Sequence, residues 1–416
     1  MATMAVQIAG VAGGIPLPVK LRRVERRRKL TAFALVLPLL LFILTTFVVP
    51  IGRMMLNAIY DDTLLTLMPR TTAALSTWDG KDLPDESVYA ALAEDLQQAW
   101  TQKTAGVVAN RINYELPGAG GQVRSSARKA STLSNGPYKA VLIENSPLWG
   151  QRGVWSLLKR GHSAYTAYYL LRSLDYQYGP EGQIVASPPE NAIFRDVFLR
   201  TLGISIGVTA LTLLLGFPVA YLLATLPAKT GNLLMIMVIL PFWTSLLVRT
   251  TAWVVLLQEH GLVNDLLMGL HIISQPAELI FNRIGTVVAM THIQLPFTLL
   301  PIYSVLKTIP PSHVRAARSL GAGPFYAFWK VYFPQTLPGI AAGCLLTFML
   351  CLGYYITPAL VGGPADQMVS SFVAHYTNED LNWGMASALG VILLTATLLL
   401  YYAYNKLVGF DRLKMG

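Results

Sequence analysis

Cys344 and Cys351, the only cysteines of the chain, lie seven residues apart in one apolar run. On a helix that spacing is roughly 10 Å along the axis, too far for a disulfide. They read as small apolar fillers and support neither redox chemistry nor a metal site. Between residues 52 and 195 His162 is the only histidine, and that stretch holds no H-E-x-x-H, no paired cysteine motif and no G-x-S-x-G. Catalysis is not expected there. What remains is recognition chemistry inside or beside apolar runs. Arg249 is a cation in one such run, and either lines a path or makes a salt bridge or headgroup contact. Trp243, Tyr303, Tyr354 and Tyr355 offer aromatic faces to an ammonium, or serve as packing and interfacial belt. Gln258, Glu259, Asp366, Glu379 and Asp380 fall at the outer ends, where acids receive a cation or are simply solvated. His292 and Gln294 are placed to hydrogen-bond between helices.

The elements that must position these residues are membrane spans. The chain of 416 residues is 53% hydrophobic and 13% charged, against about 25% charged in a soluble domain. Six runs approach the ~20 residues that a bilayer crossing needs, at 30–51, 198–223, 233–257, 285–306, 337–358 and 386–405. The first is too long for a signal peptide and has no small-residue cleavage site after it, so it reads as a retained span. Prolines 38, 218, 241 and 296 interrupt spans, either as packing irregularities or as bends around a path.

Charge placement sets orientation. The net charge is +10, yet residues 57–195 hold 13 basic and 13 acidic residues; the excess is a topology signal rather than a nucleic-acid surface. Basic residues gather before the first span in LRRVERRRK, at Lys229, in 307–336 and at Lys406, Arg412 and Lys414. The short loops on the opposite side carry only Arg283. The positive-inside rule then puts both termini in the cytoplasm of a multi-pass inner-membrane protein.

The resulting fold class is an all-α membrane protein: six transmembrane helices, a large periplasmic insert after the first, and a cytoplasmic helix-turn-helix. Its domains are a basic N-terminus (1–29), a first span (30–51), the insert (52–195) and a core of five spans (196–416). Within the insert, Val88, Leu92, Leu96 and Trp100 predict a helix starting at Asp85. Residues 116–137 predict a flexible loop, 155–179 a second helix, and 179–191 a Pro/Gly connector. The insert either docks an outer partner or acts as a stabilising cap.

The loop 307–336 is the most informative segment. Pro310 and Pro311 fix the entry to a short helix, Gly321 and Gly323 permit a sharp break, and Pro324 starts a second helix that Pro334 and Pro338 end. Ala316 and Ala317 allow close approach, and Phe325, Phe328, Trp329 and Tyr332 form an aromatic side. The elbow either lies on lipid headgroups or docks a cytoplasmic protein.

This stretch resembles the cytoplasmic-loop signature of permease subunits in binding-protein-dependent ABC importers, which reads E-A-A, three residues, G, nine residues, I-x-L-P. The chain has Arg315-Ala316-Ala317, then Gly321, then Val331, Phe333 and Pro334. Arg315 departs from the usual glutamate, which implies a compensating acid on the partner or a weaker contact. LLLGFPVAYLLA, LPFWTSLLVRTTAW, LPFTLLPIYSVLK and YYITPALVGGP are similar to the spermidine/putrescine type over roughly 195–410; the insert is outside the resemblance.

The resemblance implies one half of a translocation path for polyamines or similar small organic cations. Its implied partners are two ATPase subunits, a second permease, a periplasmic solute-binding protein and membrane lipid, with no nucleic acid. The chain has no G-x-x-x-x-G-K-[ST] loop, so it is expected to be no enzyme itself, without cofactor or metal, the ATP being bound by partner subunits. The residues of ATPase coupling would be Arg315, Ala316, Ala317, Gly321, Ala322, Gly323 and Pro334. The path would draw on Trp243, Arg249, Tyr303, Tyr354, Tyr355 and Asp366. The rival readings are the same machine carrying an amino-acid-like solute or conjugate, and an ion-coupled secondary transporter, which lacks the intramembrane acids it would need.

Overall fold

The computed structural model describes residues 17–133 and 135–408. The first part of the basic N-terminus, and Arg412 and Lys414 of the tail, lie outside the described residues. The chain divides into two units, Met1–Leu56 and Asn57–Gly416.

The first unit is one helix, basic up to Lys29 and apolar beyond it, built from α1 (Leu17–Ile43), a π turn (Leu44–Val48) and α2 (Val49–Leu56). Proline explains the π turn. Pro50 has no N–H and its ring crowds the preceding turn. The helix widens just before it, and Val49 N–H bonds Leu44 five residues back.

In the second unit the insert has its own core. Helix α3 (Glu86–Thr101) follows Asp85 at its N-cap and buries Val88, Leu92 and Leu96. Trp100 is 43% exposed, because a stripe repeating every four drifts off a 3.6-residue turn; Ala99 takes its place. After α4 (Ala105–Glu115), the expected loop is instead a helix, α5 (Ala119–Ala130). Its buried face is Ala119, Val123, Ser126, Ala127 and Ala130. Helical spacing was present there, hidden by small residues that read as linker. The expected second helix is broken: α6 (Arg152–Arg160) ends at Gly161, and α7 (Tyr168–Arg172) follows a turn. A Cβ on Gly161 would stand 2.8 Å from that of Leu64, so a tight packing contact fixes the break. Tyr165, in that turn, is 71% exposed. The connector forms a small antiparallel pair, β1 (Tyr176–Tyr178) with β2 (Ile184–Ala186). Trp149 and Trp155 anchor the core, with Trp149 donating its indole N–H to Ser126 at 2.7 Å.

A buried ion cluster braces the insert. Arg111, 7% exposed, pairs with Asp61 and with Glu115 at 2.9 Å, and Arg160 reaches Glu115 at 2.6 Å. Tyr169 donates its hydroxyl to Asp61 at 2.7 Å. Burial alone would raise the Asp61 carboxyl, but the Arg111 guanidinium and the bonds from Thr63 and Tyr169 hold it below its ordinary 3.8. Its contribution is therefore full above about pH 4 and fades as the pH falls through the lowered native value. Arg111→Met would leave the buried Asp61 carboxylate without its cation, while Arg160 still holds Glu115, at a cost of about 3 kcal/mol. The expected result is a melting point roughly 5–10 °C lower for the purified subunit, read by thermal unfolding in detergent. An unchanged midpoint would refute the bracing role.

Helices α8 (Phe194–Thr225), α11 (Arg283–Thr308) and α13 (Phe333–Leu352) pack together as the core of the membrane part. With few polar gains available in lipid, close backbone approach drives such packing. Gly339 and Gly343 of α13 supply it: Cβ atoms there would stand 3.1 Å from the Ile302 Cα and 2.5 Å from the Thr298 carbonyl oxygen. Beside them, Thr298 donates to Thr212 at 2.9 Å and shares a 2.6 Å bond with Thr347, one hydroxyl chain across three helices.

The described residues contain five helices long and apolar enough to cross a membrane, and six when one bent pair counts as a span. The bent pair is the expected 233–257 span. It consists of α9 (Ala228–Ile239) with the short turn Leu240–Trp243, then α10 (Leu246–Leu257) and, after a turn at 258–261, a short helix Leu262–Gly269, the two halves being bent by 95°. Pro241 lacks the N–H that would continue the ladder, Thr244 is extended, and Ser245 caps α10 by accepting from Val248 at 3.2 Å. The fifth span also differs. A short elbow helix, α12 (Pro311–Ser319), precedes it, and the span starts at Pro324 and runs unbroken to Leu352. Pro334 and Pro338 do not end the helix. A π turn, Phe328–Tyr332, absorbs Pro334, with Phe333 N–H bonding Phe328 five back. Gly353 ends the span, and α14 (Ile356–Val361), α15 (Val369–Asn378) and the last helix α16 (Trp383–Val408) follow.

Candidate functional site

The elbow is built by its own sequence. Pro310 and Pro311 start α12; Leu320 N–H bonds Ala316 at 3.1 Å and Ala322 N–H bonds Ala317 at 3.1 Å. Gly321, at φ +91°, sits where a side chain would be strained. Gly323 is the N-cap of the next helix. His313 bonds Gln335 at 2.9 Å and ties the elbow to α13. The aromatic side divides in two. Phe328 and Tyr332 pack on Tyr221 of α8, centroids 5.9 and 5.6 Å apart. Leu320 is 90% and Phe325 77% exposed. Arg315, Ala316, Gly321, Gly323 and Pro334 are exposed, Ala317 and Ala322 half-buried, and α12 buries no side chain at all.

The path candidates fall in separate places. Trp243 is 79% exposed at the bend. Arg249 lies with its guanidinium 5.5 Å from the Phe242 ring and its Nε buried without a partner. It is within electrostatic reach of His292 and Tyr354. Trp253 donates to His292 at 3.1 Å, and Thr250 shares a 3.2 Å bond with Thr357 of α14. Tyr354 and Tyr355 occupy the break between α13 and α14; the Tyr354 hydroxyl and the Gln294 side-chain oxygen are buried without partners. Of these groups, His292 and Tyr354 are the ones brought near Arg249. Tyr303 is elsewhere, near Lys307. Asp366 is 5% exposed and engaged by Arg283 at 3.0 Å, closed in by an internal ion pair. Glu379 and Asp380 flank His375 at 2.9 and 3.5 Å.

The sequence reading passed over a polar face made by Gln367, Ser371 and His375. Its signal was a spacing of four, continued by Glu379, beside the apolar Ala374 and Phe372.

The structure thus defines a membrane subunit: a bundle of apolar helices with an exposed elbow before the fifth span. A family profile described as "Binding-protein-dependent transport system inner membrane component" matches residues 208–409. A spermidine/putrescine transport system permease protein, PotB of Haemophilus influenzae, is 32% identical over 222 residues, covering 53% of this chain and 78% of that protein. The inner membrane ABC transporter permease protein YdcU of Escherichia coli is 34% identical, covering 52% and 73%. A probable sulfate transport system permease of Nephroselmis olivacea is 25% identical, covering 64% and 97%. The chain belongs to the family of inner-membrane permease subunits of binding-protein-dependent ABC importers. The match starts at residue 208, so it leaves out the insert.

Proposed function

We propose that this chain forms one half of an importer path for polyamines or similar small organic cations. The elbow and both termini face the cytoplasm, and the insert faces the periplasm. A second permease completes the path, two ATPase subunits bind and hydrolyse the ATP, and a periplasmic protein delivers the solute. The observation that carries the coupling is the exposed elbow, an apolar knob on a turn fixed by glycine and proline. The solute class rests on the 32% identity to a permease named for spermidine and putrescine. Affinity purification of the full chain from its source tests the assembly: an ATPase and a second permease should co-purify. A lone subunit that transports without ATP would overturn the reading.

Arg249 favours a second reading, a solute bearing a carboxylate such as an amino-acid conjugate. An intramembrane cation without an acidic partner among the described residues repels ammonium and attracts anions. Arg249→Gln separates the two readings in reconstituted complexes. Polyamine cargo predicts uptake unchanged or several-fold faster; a carboxylate cargo predicts a loss of about 10-fold or more, read by initial uptake rates of labelled solute.

A further inference from the structure

Ser371 and His375 lie one turn apart on α15, Gln367 precedes the helix four residues before Ser371, and Asn378 and Glu379 follow at its C-terminal end. Together with Tyr355 they line a cavity of about 480 Å³ whose remaining wall is alanine and Phe372. It runs from the break after Gly353 to the acidic corner around His375.

Three features identify what fits. The wall contains no lysine or arginine, and its acid is Glu379, whose carboxylate lies 2.9 Å from His375. Hydroxyl, amide and carboxylate oxygens are spaced along its length beside an apolar strip, which suits a chain of methylenes ending in a donor. The Ser371 hydroxyl is buried and has no partner, although an unmade hydrogen bond at such a place is costly.

We propose that this groove is a way station for the protonated end of an alkyl amine. The ammonium donates to Asn378 and Glu379, while the methylenes lie against Phe372 and Ala359 and reach toward Ser371, seven residues or about 10 Å back along the helix. The inference deepens the polyamine reading and rests on it for the cargo, but its geometry belongs to residues 355–379.

Thiol labelling of the full chain, purified with its partners, tests it. Ser371→Cys should react about 10-fold faster with a cationic than with an anionic methanethiosulfonate of similar size. Putrescine should slow a neutral reagent several-fold, and 1,4-butanediol should not. The unsubstituted chain reports the background from Cys344 and Cys351, and Asn378→Cys gives a second position should the first fail to fold. Equal rates for the two charges, no protection by putrescine, or equal protection by the diol would overturn the site. Putrescine uptake by the unsubstituted complex is measured in parallel. Uptake without protection sinks the groove and spares the polyamine reading; protection without uptake does the reverse.

Discussion

Gly343→Leu is expected to abolish accumulation of the folded subunit. A Cβ at this position would stand 2.5 Å from the Thr298 carbonyl oxygen and 3.2 Å from its Cα. Both are backbone atoms in the middle of α11, so no side-chain rotation relieves the clash. Separating α13 from α11 would also pull apart the Thr212–Thr298–Thr347 hydroxyl chain, whose members are all fully buried. Overpacking alone costs about 1–3 kcal/mol, and broken hydrogen bonds in an apolar interior add about 1–2 kcal/mol. Stability of a few kcal/mol would be consumed. Gly343→Ala meets the same oxygen but needs a smaller shift, and should give an intermediate yield. Membrane-fraction yield and detergent melting curves measure both. Normal yield of the leucine variant would mean that the two helices do not approach as described.

The second large effect is functional and should leave the fold untouched. Leu320→Glu combined with Phe325→Glu puts two charges on the exposed knob of the elbow. Both side chains are mostly in solvent, at 90% and 77% exposure, so subunit stability should change by less than about 0.5 kcal/mol. Apolar anchors at the centre of a protein contact commonly contribute about 2 kcal/mol or more each. ATPase association should weaken by at least about 30-fold, and solute uptake should fall with it. Co-purification of the ATPase and coupled ATP hydrolysis give the two readouts. Retained association would move the contact off the elbow. Arg315→Glu refines the test: with a compensating acid on the ATPase it weakens coupling, and a strengthened response would argue against that acid.

The readability of these features followed their physics. Long apolar runs and the Pro-Gly punctuation of the elbow are local signals, and they located the spans and the Gly321 turn without tertiary information. Signals that depend on a partner were lost. The segment 119–130 looked like linker because its buried residues are Ala, Val and Ser, chosen for close approach rather than for hydrophobicity. Pro334 looked like a helix end, since a proline removes one N–H whether the helix stops or widens into a π turn; the outcome depended on Phe333 having another acceptor at Phe328. Asp366 looked like an outer acid because nothing in the sequence announces its pairing with Arg283, 83 positions away. The polar face at 367–375 was periodic and local, and was hidden only by its shortness.

Tyr169 of the insert lies against Gly384, at the start of the last helix, in the space where a side-chain carbon would otherwise be. Arg172 of the insert lies over the ring of Phe194 at the start of α8, 5.9 Å from its centroid. The insert is thus keyed into the membrane core at two points rather than hung from a tether. A tilt of the last helix would therefore carry the insert with it.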